Sequence, residues 1–364
     1  MSDPFPRVRR RGLLAHPGFW ALAALPLLLA TGWTGFWYYA SGRIGAGVDG
    51  WMAREAAAGR VWACPERALT GFPLRFELSC RSPSLVMTQS GGVMRAGLSG
   101  LTAVTQLYQP NQMDIDLTGP LSVTQPDAAQ LTLDAATMHA GLRANLSEYP
   151  NIFDRLSVTL DEPVLTAASP GGPARSARAA RAEIGLRSVP GRPAADGAFD
   201  LAVKISGAAV PDLDALTQSA DPAGLDLSAR ILKLDLPGRG SGAARLEAWR
   251  AAGGALELNQ SAFTKGALEL GASGRLALDT EHRLEGRVDA SVAGADTLLK
   301  RFGIPVGSLD IGSALGNLLG GKKNKAPEGE GAQKQRVIRL PLSFNGGRVS
   351  VGPVSAPVRL TPLY

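Results

Sequence analysis

The sequence predicts a mainly β protein of the α+β kind, in which an N-terminal transmembrane helix leads into a long, curved antiparallel β-sheet carrying a few short helices. Three observations carry this reading. An uncharged apolar stretch of 23 residues, GFWALAALPLLLATGWTGFWYYA, fills positions 18–40. From Phe76 onward apolar and polar residues alternate with period two, the pattern of strands with one buried face. Gly, Pro, Asn and Asp break these stretches at short intervals, as turns between neighbouring strands require.

The chain has 364 residues, 38 Lys+Arg against 32 Asp+Glu, and a formal charge of +6. Arg7, Arg9, Arg10 and Arg11 against Asp3 give residues 1–16 a charge of +3, and residues 322–336 carry another +3. The rest is neutral, so no basic domain exists to displace counterions from a phosphate backbone, and nucleic acid is not expected as a partner.

Residues 1–17 read as a basic cytoplasmic tail and 18–40 as the transmembrane helix, long enough for a hydrocarbon core of about 30 Å. Trp20 at one end and Trp33, Trp37, Tyr38 and Tyr39 at the other fit aromatic rings at two headgroup layers, with Pro26 a mid-span kink. The apolar run is longer than a signal peptide's, and Tyr38-Tyr39-Ala40 lacks a small-x-small cleavage site, which favours an uncleaved anchor. Arg7, Arg9, Arg10 and Arg11 keep the N-terminus cytoplasmic by the positive-inside bias. The expectation is a single-pass membrane protein with the bulk of its chain exported.

Cys64 and Cys80 are the only cysteines, too far apart for a Cys-x-x-Cys half-site. In an oxidising compartment they can pair, worth about 3 kcal/mol; two buried thiols are the alternative.

Residues 41–60 form a juxtamembrane helix on the spacing of Ile44, Val48, Trp51 and Met52, ended by Gly59. The β-rich domain is 61–364. Its alternating stretches include FELSC, MDIDLTG, LSVTQ, LTLDA, RLSVTLDEP, AEIGLR, FDLAVKIS and LDLSARILKLDLP. Four further segments fill 255–294, and a last hairpin turns at Asn345-Gly346-Gly347. Helices are expected at 212–219, 246–252 and 295–302, with a continuation over 308–319. Residues 167–182 read as a weak, Ala- and Arg-rich stretch, and 321–335 as a mobile loop without large apolar side chains.

Chemical motifs are weak. Gly45, Gly47 and Gly50 match a dinucleotide fingerprint, but an apolar helix rather than a strand feeds them. Residues 316–322 match most of a phosphate-binding loop, yet Lys323 stands where Ser or Thr should hold magnesium. His16, His139 and His282 form no metal-ligand spacing. Asp114 and Asp116 share one strand face, the ordinary pattern of an exposed face, and His282 beside Glu281 reads as a solvated turn. No catalytic constellation, metal site or cofactor is expected, and the protein is read as no enzyme. What remains is an apolar sheet face, which either packs into a core or is offered to an apolar ligand.

The stretch from Cys64 to Cys80, CPERALTGFPLRFELSC, with Trp51 before it, then QLYQPN at 106–111 and LTGPLSV at 117–123, resembles a Gram-negative bacterial family of unknown function. The ending LPLSFNGGRVSVGP at 340–353 with Pro362, Leu363 and Tyr364 is similar to that family's tail. The resemblance implies an inner-membrane anchor, a periplasmic β domain and a distant likeness to AsmA-type envelope proteins, whose sheets form grooves suited to lipid. A lipid ligand handled through an apolar β-groove is the leading expectation. The alternative is a scaffold that pairs an exposed sheet edge with an envelope-protein partner.

Overall fold

The computed structural model describes residues 17–89, 92–148, 152–191, 197–235, 242–294, 337–352 and 354–364. Helix α1 (Pro17–Ala57) leads into the sheets. The expected span and the juxtamembrane helix are thus one element, continuous through Pro26 and ended by Gly59, whose φ is 79°. Among the described residues no helix is long and apolar enough to cross a membrane. The transmembrane assignment of 18–40 therefore finds no support among the described residues. Thr31, Gly32, Thr34 and Gly35 dilute the apolar sequence, and from Trp33 onward the helix is engaged with protein rather than facing outward only. The basic tail, His16, the helices expected at 295–302 and 308–319, residues 316–322 and the loop at 321–335 lie outside the described residues.

Seven successive pairs of strands build the N-terminal half: β1 (Arg60–Ala63) with β2 (Glu66–Thr70), β3 (Arg75–Arg81) with β4 (Ser84–Gln89), and β5 (Gly92–Gly97) with β6 (Gly100–Gln106). They continue as β7 (Gln109–Thr118) with β8 (Leu121–Thr124), β9 (Gln130–Asp134) with β10 (Thr137–Ala144), β11 (Phe153–Asp161) with β12 (Val164–Ala168), and β13 (Arg175–Arg178) with β14 (Arg181–Ser188). In every pair two residues separate the members, and the members lie in different sheets. Each pair is therefore one long strand creased in the middle.

The crease has a local cause. Four creases carry proline in second place, at Pro65, Pro83, Pro120 and Pro163, where the missing N–H removes a ladder bond. The others, at residues 98–99, 135–136 and 179–180, use Leu-Ser or Ala-Ala. Antiparallel bonding resumes immediately beside them: Ser82 N–H donates to Ser99 O at 3.0 Å, and Ala136 N–H to Asp161 O at 2.9 Å.

The result is a seven-stranded sheet of order β1-β4-β5-β8-β9-β12-β13 and a 15-stranded sheet. The larger one runs β2-β3-β6-β7-β10-β11-β14 and continues through β15 (Phe199–Ala208), β16 (Ala223–Leu232), β17 (Ala255–Lys265), β18 (Leu268–Leu278), β19 (Leu284–Ala293), β20 (Ile338–Asn345), β21 (Arg348–Val351) and β22 (Val354–Arg359). Among the described residues all pairings are antiparallel, as the alternation predicted.

Two details differ from the sequence reading. Residues 255–294 hold three strands rather than four, because Asn259 is a bulge inside β17 where pairing slips between Leu258 and Ser261. The Ala- and Arg-rich stretch 167–182 contains β13 and the start of β14. The last hairpin turns as expected: Gly346 and Gly347 have φ of 55° and 73°, the left-handed pair that a two-residue loop needs. Helices α2 (Pro211–Thr217) and α3 (Gly242–Ala251) fall on the two expected positions, at opposite ends of β16.

Candidate functional site

Directly opposed residues of antiparallel strands share a face, so the registers sort the side chains into rows. On the larger sheet one row reads Cys80, Leu101, Leu117, Met138, Leu160, Ala182, Ile205, Leu225, Phe263, Leu270, Val292 and Ile338, across twelve strands. The next row on the same face reads Leu78, Ala103, Ile115, Ala140, Val158, Ile184, Val203 and Leu227. On the smaller sheet Trp62, Leu85, Ala96, Val123, Leu131 and Ala167 form the equivalent row. Of the twelve in the first row only Cys80 and Met138 are fully buried; Leu270 and, in the second row, Ile184 keep 37% and 41% of their surface. The apolar face is therefore partly covered along its whole width, with its largest openings at Leu270 and Ile184.

Helix α1 lies along that apolar side at the N-terminal edge of both sheets. Trp37 stacks on Phe76 of the larger sheet at 5.6 Å, meets Phe72 edge-on at 5.7 Å, and donates its indole N–H to Arg75 O at 3.1 Å. Trp33 Nε1–H donates to Pro73 O at 3.0 Å. Fourteen residues later, about 21 Å along the helix, Trp51 meets Trp62 of the smaller sheet at 5.3 Å. Between them Asp49 pairs with Arg67, which shares the face of Cys80. The disulfide Cys64–Cys80, with Cα atoms 5.7 Å apart, ties the first crease to the second long strand beneath this helix.

The residues expected to meet a membrane divide here. Trp37 is 4% exposed and packs inside the protein. Trp20, Tyr38, Tyr39 and the run Leu25, Leu27, Leu28 and Leu29 remain about 60–70% exposed. Trp33 sits between the two groups at 39%.

Midway along the larger sheet, between β16 and β17, α3 lies against the apolar face. Trp249 donates its indole N–H to Leu232 O at 2.7 Å, and Gly254 passes so close beneath the ring that a β-carbon there would collide with it. A cavity of about 660 Å³ opens beside it, lined by Ile231, Leu234, Leu246, Trp249 and Leu256, with Arg245 among its polar groups.

Below α2 the buried Lys265 donates to the Asp214 carboxylate and to Asp221 O. Near the chain end, Glu247 receives Arg250 at 2.6 Å and the Tyr364 hydroxyl at 2.9 Å, and His282 stacks on Tyr364 at 4.3 Å. The Arg250 guanidinium, then the Tyr364 hydroxyl, hold the Glu247 carboxyl down at about 2. Burial, followed by that acceptor, pushes the Tyr364 hydroxyl up. The sequence reading missed both clusters; only the Glu247 and Arg250 spacing of one helical turn was visible in it.

The remaining candidates are scattered. Asp114 and Asp116 point to the polar face, where Asp116 lies 2.9 Å from His139, while His282 is in the separate Glu247 cluster. Gly45, Gly47 and Gly50 are inside α1, whose amides are engaged in helical bonding, so they form no phosphate-cradling loop. Among the described residues no group of three or more His, Cys, Asp or Glu is arranged to hold a metal ion.

These features define a two-sheet antiparallel β protein with an N-terminal helix docked on a common apolar side. The chain belongs to a bacterial family described as an uncharacterized protein conserved in bacteria (DUF2125), whose model matches residues 37–359. That span starts at Trp37 and so includes the helix dock, both sheets and α3. No curated protein matches the chain.

Proposed function

We propose that this protein is a non-enzymatic component of the bacterial cell envelope that binds or handles lipid on its apolar sheet face. The observation that carries the reading is the continuity of partly exposed apolar rows across as many as twelve strands, with α1 docked at the N-terminal edge and the Trp249 cavity opening beside β16 and β17. Acyl chains are the ligands that such a surface suits, because they are long, apolar and without hydrogen-bonding demands.

The exposed N-terminal run of α1, with Leu25, Leu27, Leu28 and Leu29, holds the protein at the inner membrane in this reading, since that much apolar surface is stable only against an apolar phase. The disulfide favours an oxidising compartment, and the β body is therefore assigned to the periplasmic side.

The test is native mass spectrometry of the full-length protein, purified in detergent. Co-purified phospholipid is expected, lost on introducing Ile184→Glu and Leu227→Glu in a variant that keeps its circular dichroism. Folded protein that carries no lipid counts against the reading. Folded, lipid-free protein with a stoichiometric partner strand on a sheet edge would put an assembly role in its place.

A further inference from the structure

The opposite face of the larger sheet carries a second ordered row. Arg143, Arg155, Arg187, Asp200, Arg230, Glu257, Arg275 and Arg287 stand directly opposite one another on eight consecutive strands. Strands are about 4.8 Å apart, so the first three place like charges side by side, an arrangement that costs stability unless an anion sits between them. Asp200 engages Arg187 at 3.3 Å and Arg230 at 2.9 Å, and Glu257 engages Arg275 at 2.9 Å. Among the described residues Arg143 and Arg155 make no ion pair, and both are exposed.

Beside this row runs a second one of small side chains: Gly141, Ser157, Gly185, Ala202 and Ser228. A depression of about 540 Å³ lies along the two rows, lined by Arg155, Arg187 and Arg230, by the Asp200 carboxylate between the last two, and by Gly185 and Ser157. A β-carbon built on Gly185 meets nothing within 4 Å, so the space above it is open.

We propose that this trough binds a soluble, extended polyanion carrying phosphate groups. Guanidinium groups present planar pairs of donors that match phosphate oxygens, and their spacing along the row suits a ligand with successive charges. A floor of glycine and serine below the arginines favours an inserted chain over a flat bilayer surface, which would rest on the guanidinium tips. The site is on the reverse of the lipid face and is independent of that reading.

Isothermal titration of the full-length protein with linear tripolyphosphate tests it. Binding that weakens with added salt is expected. Arg155→Gln with Arg187→Gln should weaken it at least about tenfold, the loss of two charge-assisted contacts. Gly185→Leu, which fills open space in an ordinary extended backbone, should weaken it similarly while the melting temperature stays unchanged. No binding by the native protein overturns the proposal. So does a Gly185→Leu variant of native affinity, which would reduce the effect to diffuse charge, and so does binding to anionic vesicles without binding to tripolyphosphate.

Discussion

Trp37 of the helix and Phe76 of the larger sheet lie stacked, ring centroids 5.6 Å apart and planes within 18° of parallel. This contact, with the indole bond to Arg75 O, sets where α1 meets the apolar face. Trp37→Ala is expected to cost about 4 kcal/mol of stability, the cavity and transfer loss of a buried tryptophan. Trp37→Phe keeps most of the packing, loses the bond to Arg75 O and part of the buried ring, and should cost about 2 kcal/mol. Urea unfolding of both variants gives the two values.

The disulfide lies under the same helix and closes the first crease against the second long strand. Replacing Cys64 and Cys80 together with Ser should lower stability by about 3 kcal/mol, the loop-closure contribution for a separation of 16 residues. Nonreducing electrophoresis of the native protein should show the faster-migrating oxidised form, and reduction should abolish the difference from the variant.

The alternation of MDIDLTG or FDLAVKIS identifies strands and their buried side without further help, and Gly346-Gly347 identifies a hairpin. The creases are a different matter. Ala135-Ala136 and Ala179-Ala180 carry no turn chemistry, and a proline such as Pro83 or Pro163 reads equally as a turn, so one creased strand looks like two. Asn259 shows the converse, a turn residue used as a bulge. The apolar rows could not be read because they depend on pairing register, which brings Met138 to Leu117 and Leu160 from distant positions. Trp37 was misplaced for a related reason: an aromatic at the end of an apolar run suits a membrane interface and a protein dock equally, and only Phe72 and Phe76 decide between them.

Lys265 is fully buried and bonded to Asp214 and to Asp221 O. Lys265→Ala should destabilise by about 3 kcal/mol, as expected when one partner of a buried pair is removed. In Lys265→Met with Asp214→Leu neither charge is left behind, and the double variant should recover a large part of that loss in thermal unfolding.

Glu247 supplies a pH dependence. Its carboxyl is depressed to about 2 by Arg250 and Tyr364, against about 4.3 in an unfolded chain. A depressed carboxylate contributes stability that is fully present above the unfolded value and is lost as pH falls through the folded one. The native protein should therefore exceed Glu247→Gln in melting temperature above about pH 5, with the gap narrowing steadily from about pH 4 towards pH 2. Tyr364→Phe should raise the Glu247 value, which carboxyl-resolved NMR titration reads directly.

The central claim is that the apolar rows, and not the polar reverse of the same sheet, meet lipid. Neighbouring residues of β14 provide the comparison: Ile184 belongs to an apolar row and is 41% exposed, while Glu183 points to the other face. A photoreactive amino acid placed at either position in the full-length protein, irradiated in cells, should form phospholipid adducts at 184 and none at 183. Equal labelling at both positions, or no lipid adduct at 184 in a folded protein, would contradict the account.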